Sequence, residues 1–195
     1  MSRSDAQYGQ RRAEPESPTP WRLCERVTTP HEWSASCLSK LQSVAYTDAQ
    51  ARQQVLDAVA SAADEIGVAL ADLGEAYEQL DTHAAERLED ELFRPLQTAY
   101  GQAQRLHIEF AGRHGLPTHA FDAAHPQVRE HDAKGIMNRA AAAVEHADAT
   151  LAALQDSMLP VEVGDPPLRA GLAQVRVLLG DTRRRTREII RTLGR

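Results

Sequence analysis

Residues 54–80 have the sequence QVLDAVASAADEIGVALADLGEAYEQL, in which apolar side chains recur at alternating spacings of three and four. Such spacing aligns the apolar side chains in one stripe along a helix, as in the seam of a coiled coil. No proline occurs from His31 to Arg94, so the sequence permits an uninterrupted helix over this span. The stripe consists of Leu56, Val59, Ala63, Ile66, Leu70, Leu73, Tyr77 and Leu80.

The apolar spacing changes beyond Leu80, and this change leaves two arrangements open. Four apolar residues follow at intervals of four, namely Ala84, Leu88, Leu92 and Leu96. One arrangement is a continuous helix with a stutter, a rod from Thr47 to Arg113 of about 100 Å at 1.5 Å per residue. The other is a turn at Asp81-Thr82, with Asp81 capping a new helix. We favour the continuous helix, because the turn contains no glycine or proline. Pro95 predicts a kink near residues 91–94.

A third helix is predicted in the second half of the chain. Gly115 is suited to a left-handed cap that ends the preceding helix, and a new apolar stripe runs from Met137 to Met158. The start of this helix stays open, because Pro126 and Asp132 are both acceptable first residues. If Asp132 is the cap, residues 115–131 form a long loop.

A final helix is predicted after Asp165, where a turn, a cap and a proline follow one another, and its apolar stripe runs from Leu168 to Leu193. Aromatic residues are only 5 % of the chain, and alanine and leucine dominate the apolar set, which favours helices over strands. We predict an all-α fold, an elongated antiparallel bundle with coiled-coil-like packing. It is either an up-and-down four-helix bundle or one long bent helix with two helices folded back. Residues 1–28 are expected to be a disordered tail and residues 29–195 a single bundle domain.

The net charge of −6 conceals an uneven distribution of charge along the chain. Residues 48–91 contain twelve acidic residues against two arginines, whereas residues 169–195 contain eight arginines against two acidic residues. Guanidinium groups match phosphates, so the basic helix is a candidate surface for nucleic acid or anionic lipid. The competing interpretation is that these arginines pair with an acidic helix of the same chain. The candidate residues are Arg183, Arg184, Arg185, Arg187 and Arg191.

Histidines are concentrated in the middle of the chain and are the candidate metal ligands. Imidazole and carboxylate groups bind zinc and iron, and several acidic residues lie among these histidines. The spacings match no known ligand motif. A di-iron bundle uses Glu-x-x-His, whereas Glu130-His131 and Glu145-His146 are adjacent pairs. A site would require residues 115–131 to fold back over the preceding helix. The candidates are His107, His114, His119, His125 and His131.

The sequence contains none of the common catalytic motifs, neither Gly-x-Ser-x-Gly nor the glycine-rich nucleotide loops nor His-Glu-x-x-His. We therefore expect a non-enzymatic protein without a cofactor, which associates with itself, as a homodimer, or with a partner helix. Polyanion binding through the arginines and metal binding through the histidines are the alternatives. The two cysteines, the polar N-terminus and the lack of an apolar run of about 18 residues predict a cytoplasmic protein without a transmembrane segment.

Overall fold

The computed structural model of the protein describes residues 35–125 and 132–193. The chain divides into two compact units, Met1–Val44 and Ala45–Arg195, and the helical bundle belongs to the second. The tail predicted for residues 1–28 lies outside the described residues.

All regular structure in the described residues is helical, and no strand occurs among them. The predicted all-α class is confirmed. A π-helical turn, Glu89–Phe93, joins the second helix to the third. The helices are α1 (Ala35–Tyr77), α2 (Thr82–Leu88), α3 (Arg94–His114), α4 (Ala133–Asp156), α5 (Leu159–Glu162) and α6 (Pro166–Leu193).

The first long helix ends at Tyr77, so the favoured continuous rod from Thr47 to Arg113 is wrong and the turn at Asp81 is correct. The Asp81 side chain accepts hydrogen bonds from the backbone N–H groups of His83, at 3.1 Å, and Ala84, at 3.0 Å. These bonds satisfy two donors that every helix start leaves free. An aspartate cap is therefore sufficient to start α2 here without a glycine or proline.

The π-helical turn explains the four-residue spacing of the leucines in this part of the chain. Steps of four drift around a regular helix of 3.6 residues per turn, and a wider π-helical turn compensates for the drift. Leu88, Leu92 and Leu96 are accordingly all buried. Pro95 cannot donate a hydrogen bond to the Glu91 carbonyl, and Arg185 of α6 donates to that oxygen instead, at 3.4 Å. Where the sequence predicts a kink before Pro95, the structure has a π-helical turn.

Helices α3 and α4 both run antiparallel to α1. Along α4, Arg139 contacts Asp72 of α1 at 3.2 Å and His146 contacts Glu65 at 2.9 Å, so residue numbers fall along α1 as they rise along α4. Along α3, Gly67 of α1 lies against Tyr100, whereas the earlier α1 residues Asp57 and Asp64 face the later residue His107. It follows that α3 and α4 are parallel to each other.

The connection between α3 and α4 must therefore return along the length of the bundle. It leaves α3 at Gly115, which has the left-handed backbone conformation (φ 63°) predicted for it. Its described part, residues 115–125, is called the crossover segment below. His119 of this segment reaches Asp64 of α1, and Ala124 lies near Gly67 farther along α1. The up-and-down four-helix bundle, the other arrangement expected from the sequence, would have a hairpin here, so the crossover corrects that connection within the all-α bundle.

Helix α6 completes the bundle by lying antiparallel to both α3 and α4. It contacts α3 through Asp165 and Arg113 at 2.9 Å, and it contacts α4 through Arg176 and Asp148 at 3.0 Å. Gly171 permits a close approach to α3, because a Cβ atom there would lie 2.5 Å from a methyl carbon of Leu106. Of the two starts left open for α4, the cap is Asp132, and the cap predicted at Asp165 precedes α6.

The apolar stripes predicted from the sequence form the core. Leu70, Leu80 and Ala84 are only partly buried, and Tyr77 and Met158 are exposed at helix ends. The buried members are Leu56, Val59, Ala63, Ile66 and Leu73 in α1, Ala99, Ala103, Leu106 and Phe110 in α3, Met137, Ala140, Val144, Ala147, Leu151 and Leu154 in α4, and Leu168, Leu172, Val175, Leu179, Thr182, Thr186 and Ile189 in α6.

Leu73→Ala should lower the free energy of unfolding by about 2 to 5 kcal/mol, because the buried side chain leaves a cavity. Leu70→Ala should cost less, since Leu70 is partly exposed. Equilibrium urea denaturation measures both, with the exposed Val177→Ala as the matched control. Equal losses for Leu70 and Leu73 would contradict the assignment of the core.

Candidate functional site

Two of the five candidate arginines face acidic residues of α4. Arg183 lies 3.6 Å from Glu145 and 3.7 Å from Asp148, and Arg187 lies 3.4 Å from Glu145. The intramolecular pairing considered for the basic helix therefore exists for these two arginines. Their partners belong to α4 and not to the strongly acidic stretch 48–91.

The other three candidate arginines have different surroundings. Arg184 pairs with Asp181 of its own helix at 2.9 Å, and Arg185 donates to the Glu91 carbonyl. Arg191 is exposed, and no ion pair joins it to another described residue. The five arginines therefore do not form one uniform surface, and Arg185 serves the fold.

Helix α6 carries a second stripe on its outer side, opposite to the core. Its members follow one another at spacings of three and four, and each is exposed. We call this set the outer stripe; it consists of Ala170, Ala173, Val177, Gly180, Arg184, Arg187 and Arg191. The sequence prediction includes only its arginines, because alanine and glycine are common on helix surfaces. In the sequence, the outer stripe can be recognised only as a second set of positions at helical spacing, offset from the buried stripe.

A groove lies beside the outer stripe, on the surface between α6 and α3. It is lined by Gln102 of α3 and by Ala173, Gln174, Val177 and Leu178 of α6, and its walls are mainly apolar. Val177 is 66 % exposed, the largest exposure among the big apolar residues that the structure describes. The groove and the outer stripe together form one continuous surface on α6.

The candidate histidines are divided between two places. His107 of α3 is buried beneath the crossover segment, with its ring centre 6.2 Å from that of His119 and 5.2 Å from that of Phe121. His114 instead contacts Asp165 at 3.2 Å. His125 is exposed, and His131 lies outside the described residues. The described part of the chain contains no group of three or more histidine, cysteine or acidic residues able to hold a metal ion.

Burial lowers the pKa of His107, and the nearby charge of His119 acts in the same direction. Asp57 and Asp64 of α1 oppose these effects only in part. The Nδ1 atom of His107 is buried without a hydrogen-bond partner. The folded protein therefore favours the neutral form of this imidazole.

Asp165 is the most highly coordinated carboxylate in the described structure. It accepts hydrogen bonds from Arg113 at 2.9 and 3.1 Å, from His114 at 3.2 Å and from the backbone N–H of Leu168 at 2.8 Å. Burial alone would raise the pKa of Asp165, but these hydrogen bonds outweigh it and lower the pKa. The cluster joins the end of α3 to the start of α6, and this role is structural.

Comparisons with known proteins add no indication of function. The chain matches no family model, no curated protein and no solved structure. Within residues 35–125 and 132–193, no helix has both the length and the apolar character needed to cross a bilayer.

Asp165→Ala should lower the free energy of unfolding by about 3 kcal/mol near neutral pH, because it removes a helix cap and leaves Arg113 without its buried partner. The carboxylate has a lowered pKa when folded, so its stabilisation is present above the ordinary pKa of 3.8 and is lost as the pH falls through the folded value. The difference in the free energy of unfolding between the wild type and the variant should therefore become smaller below about pH 4. Urea denaturation at several pH values measures it, and a constant difference would contradict this assignment.

His107→Leu should flatten the pH dependence of stability between pH 7 and 5. In the wild type, the pKa of His107 is lower in the folded protein than its ordinary value of 6.5, so the unfolded chain binds a proton more readily and the free energy of unfolding decreases as the pH falls. The slope lost should approach about 1.4 kcal/mol per pH unit at most. His83→Leu, at an exposed position, is the control and should keep the wild-type slope. Equal slopes for all three proteins would show that His107 titrates normally.

Proposed function

We propose that this protein is a non-enzymatic helical bundle that works by association, with the outer stripe of α6 as its contact surface. The observation that supports the proposal is the uncovered apolar surface around Val177, beside the groove between α6 and α3. A helix in a bundle needs one apolar stripe to join the core. No described segment covers the apolar members of this second stripe, whereas Arg187 contacts Glu145 of α4.

The apolar half of the outer stripe supports association more strongly than isolated apolar residues would. Single exposed apolar residues are normal on protein surfaces, whereas a row beside a groove is typical of an interaction site. Ala170, Ala173 and Val177 form such a row, and Leu178 extends it into the groove toward α3. A helix from a second copy or from another protein would bury this surface.

The surroundings of the ionisable residues support a non-enzymatic role. Arg113 and His114 are both hydrogen-bonded to Asp165, and Arg139 donates a hydrogen bond to Asp72. These pairs join α3 to the start of α6 and α1 to α4, so a structural role accounts for them. A cytoplasmic location, expected from the sparse cysteines, is part of the same proposal.

Polyanion binding is the second candidate function. A shallow depression on α6 is lined by Arg183, Arg184, Arg187 and Arg191, which favours it. Glu188 lines the same depression, and Glu145 already contacts two of the arginines, which reduces the local positive charge. The apolar half of the outer stripe has no role in this alternative, so protein association accounts for more of the surface.

Site-specific photocrosslinking in an extract of the organism's own cells tests the association. A photoreactive phenylalanine analogue replaces Gln174, an exposed residue at the edge of the groove. We expect one discrete covalent adduct, formed with a second copy or with a partner protein. An excess of unlabelled wild-type protein should abolish the adduct, whereas an excess of Val177→Glu should not.

The matched control places the same analogue at Ile108, which is also exposed but lies on α3. Circular dichroism and thermal unfolding should show that Val177→Glu folds like the wild type, because the side chain faces solvent. The proposal is contradicted if no adduct forms, if the same adduct forms at Ile108, or if Val177→Glu competes as well as the wild type.

A further inference from the structure

We infer that the occupant of the outer stripe is an acidic amphipathic helix of another protein, an inference that rests on the proposed function of α6. The stripe has two chemically different halves. Ala170, Ala173, Val177 and Gly180 form an apolar half, and the three arginines that follow form a cationic half. A complementary helix places apolar side chains along the first half and carboxylates along the second.

The small residues of the apolar half favour a helix over a lipid surface. Small side chains allow two helix backbones to approach closely. Helices that bind a membrane surface instead insert large residues such as Leu, Phe and Trp. Val177 is the largest apolar side chain in the stripe, and its neighbours in the stripe are Ala173 and Gly180.

The arginines of the cationic half are accessible to carboxylates of a partner. The side chains of Arg184 and Arg187 are 64 % and 61 % exposed, and those of their present partners, Asp181 and Glu145, are 47 % and 58 % exposed. Exposed pairs of this kind contribute little free energy, so their exchange for a partner's carboxylates is inexpensive. Guanidinium groups can bind carboxylates in a bidentate geometry, which would also fix the register of the partner helix.

A second copy of α6 does not complement this stripe. Its own outer stripe contains three arginines and no acidic residue. In a parallel pair, arginines would face arginines, and like charges across an interface are unfavourable. In an antiparallel pair, the arginines would face the apolar half and leave their charges unpaired. A helix with carboxylates at one end and apolar residues at the other avoids both costs.

Selection from a library of helical peptides tests this assignment on the full chain. The peptides have about four heptads, with Ala, Val or Leu at the inward positions and either Glu or Lys at each flanking position. The immobilised target is the wild-type protein, and the matched control target is Val177→Glu. We expect enrichment of peptides rich in Glu at one end, with affinity for Val177→Glu lower by about tenfold or more.

Charge reversal supplies the second measurement. Binding of an enriched peptide should be lost with the double variant Arg184→Glu and Arg187→Glu, and it should be restored when the glutamates of the peptide become lysines. Both arginines are exposed and their ion pairs lie at the surface, so these variants should retain the fold, which circular dichroism and thermal unfolding check. Two other occupants are measured alongside. Binding to phosphatidylserine vesicles tests anionic lipid, and light scattering over a range of protein concentrations tests self-association.

The inference is overturned if no peptide is enriched relative to Val177→Glu, if Lys is enriched over Glu, or if charge reversal has no effect. Vesicle binding that is lost in Val177→Glu, without enrichment of peptides, would assign the surface to anionic lipid. Self-association through Val177 without enrichment of peptides would leave the proposed function intact and remove the acidic partner. Failure of the crosslinking experiment would instead remove the proposed function.

Discussion

The parallel arrangement of α3 and α4 is the constraint on which the rest of the bundle depends. Because both helices run antiparallel to α1, the chain between them has to return along the bundle, and its described part lies against α1 and α3. This path buries His107 beneath His119 and Phe121 and covers part of α1. Helix α6 is packed by α3 and α4 on its inner side, and no described segment covers its outer stripe. The topology therefore determines which surface is free for a partner.

Ionic contacts align the helices once this topology is set. Asp165 with Arg113 joins α3 to α6, Asp72 with Arg139 joins α1 to α4, and Asp148 with Arg176 joins α4 to α6. A buried ion pair contributes little net stability compared with apolar packing, but a shifted register would leave its charges unpaired and buried. These pairs therefore favour one register over others.

The sequence predicts the elements of this fold better than their arrangement. Buried stripes, the Gly115 cap and the Asp132 and Asp165 caps depend on local spacing and local hydrogen bonds, and the structure contains them. The break at Asp81 is one of two locally acceptable arrangements, and tertiary packing decides between them. Neither the direction of α4 nor the partners of Arg113 and Arg183 can be predicted, because they depend on contacts between distant residues. The apolar half of the outer stripe is visible only after the core side of α6 is known.

The distance between α3 and the start of α4 tests the crossover topology most directly. Spin labels are attached at Ile108→Cys and Lys134→Cys, two exposed positions, after the native cysteines have been replaced. Pulsed electron paramagnetic resonance then measures the distance between the labels. In the parallel arrangement, the two positions lie at different heights along α1. The α1 residues between these heights rise 1.5 Å each, which gives a separation of about 27 Å along the helix axis. A label distance of about 30 Å is therefore predicted. A hairpin between α3 and α4 would place the labels about 15 Å apart or less, and that result would contradict the topology, the buried position of His107 and the free outer face of α6.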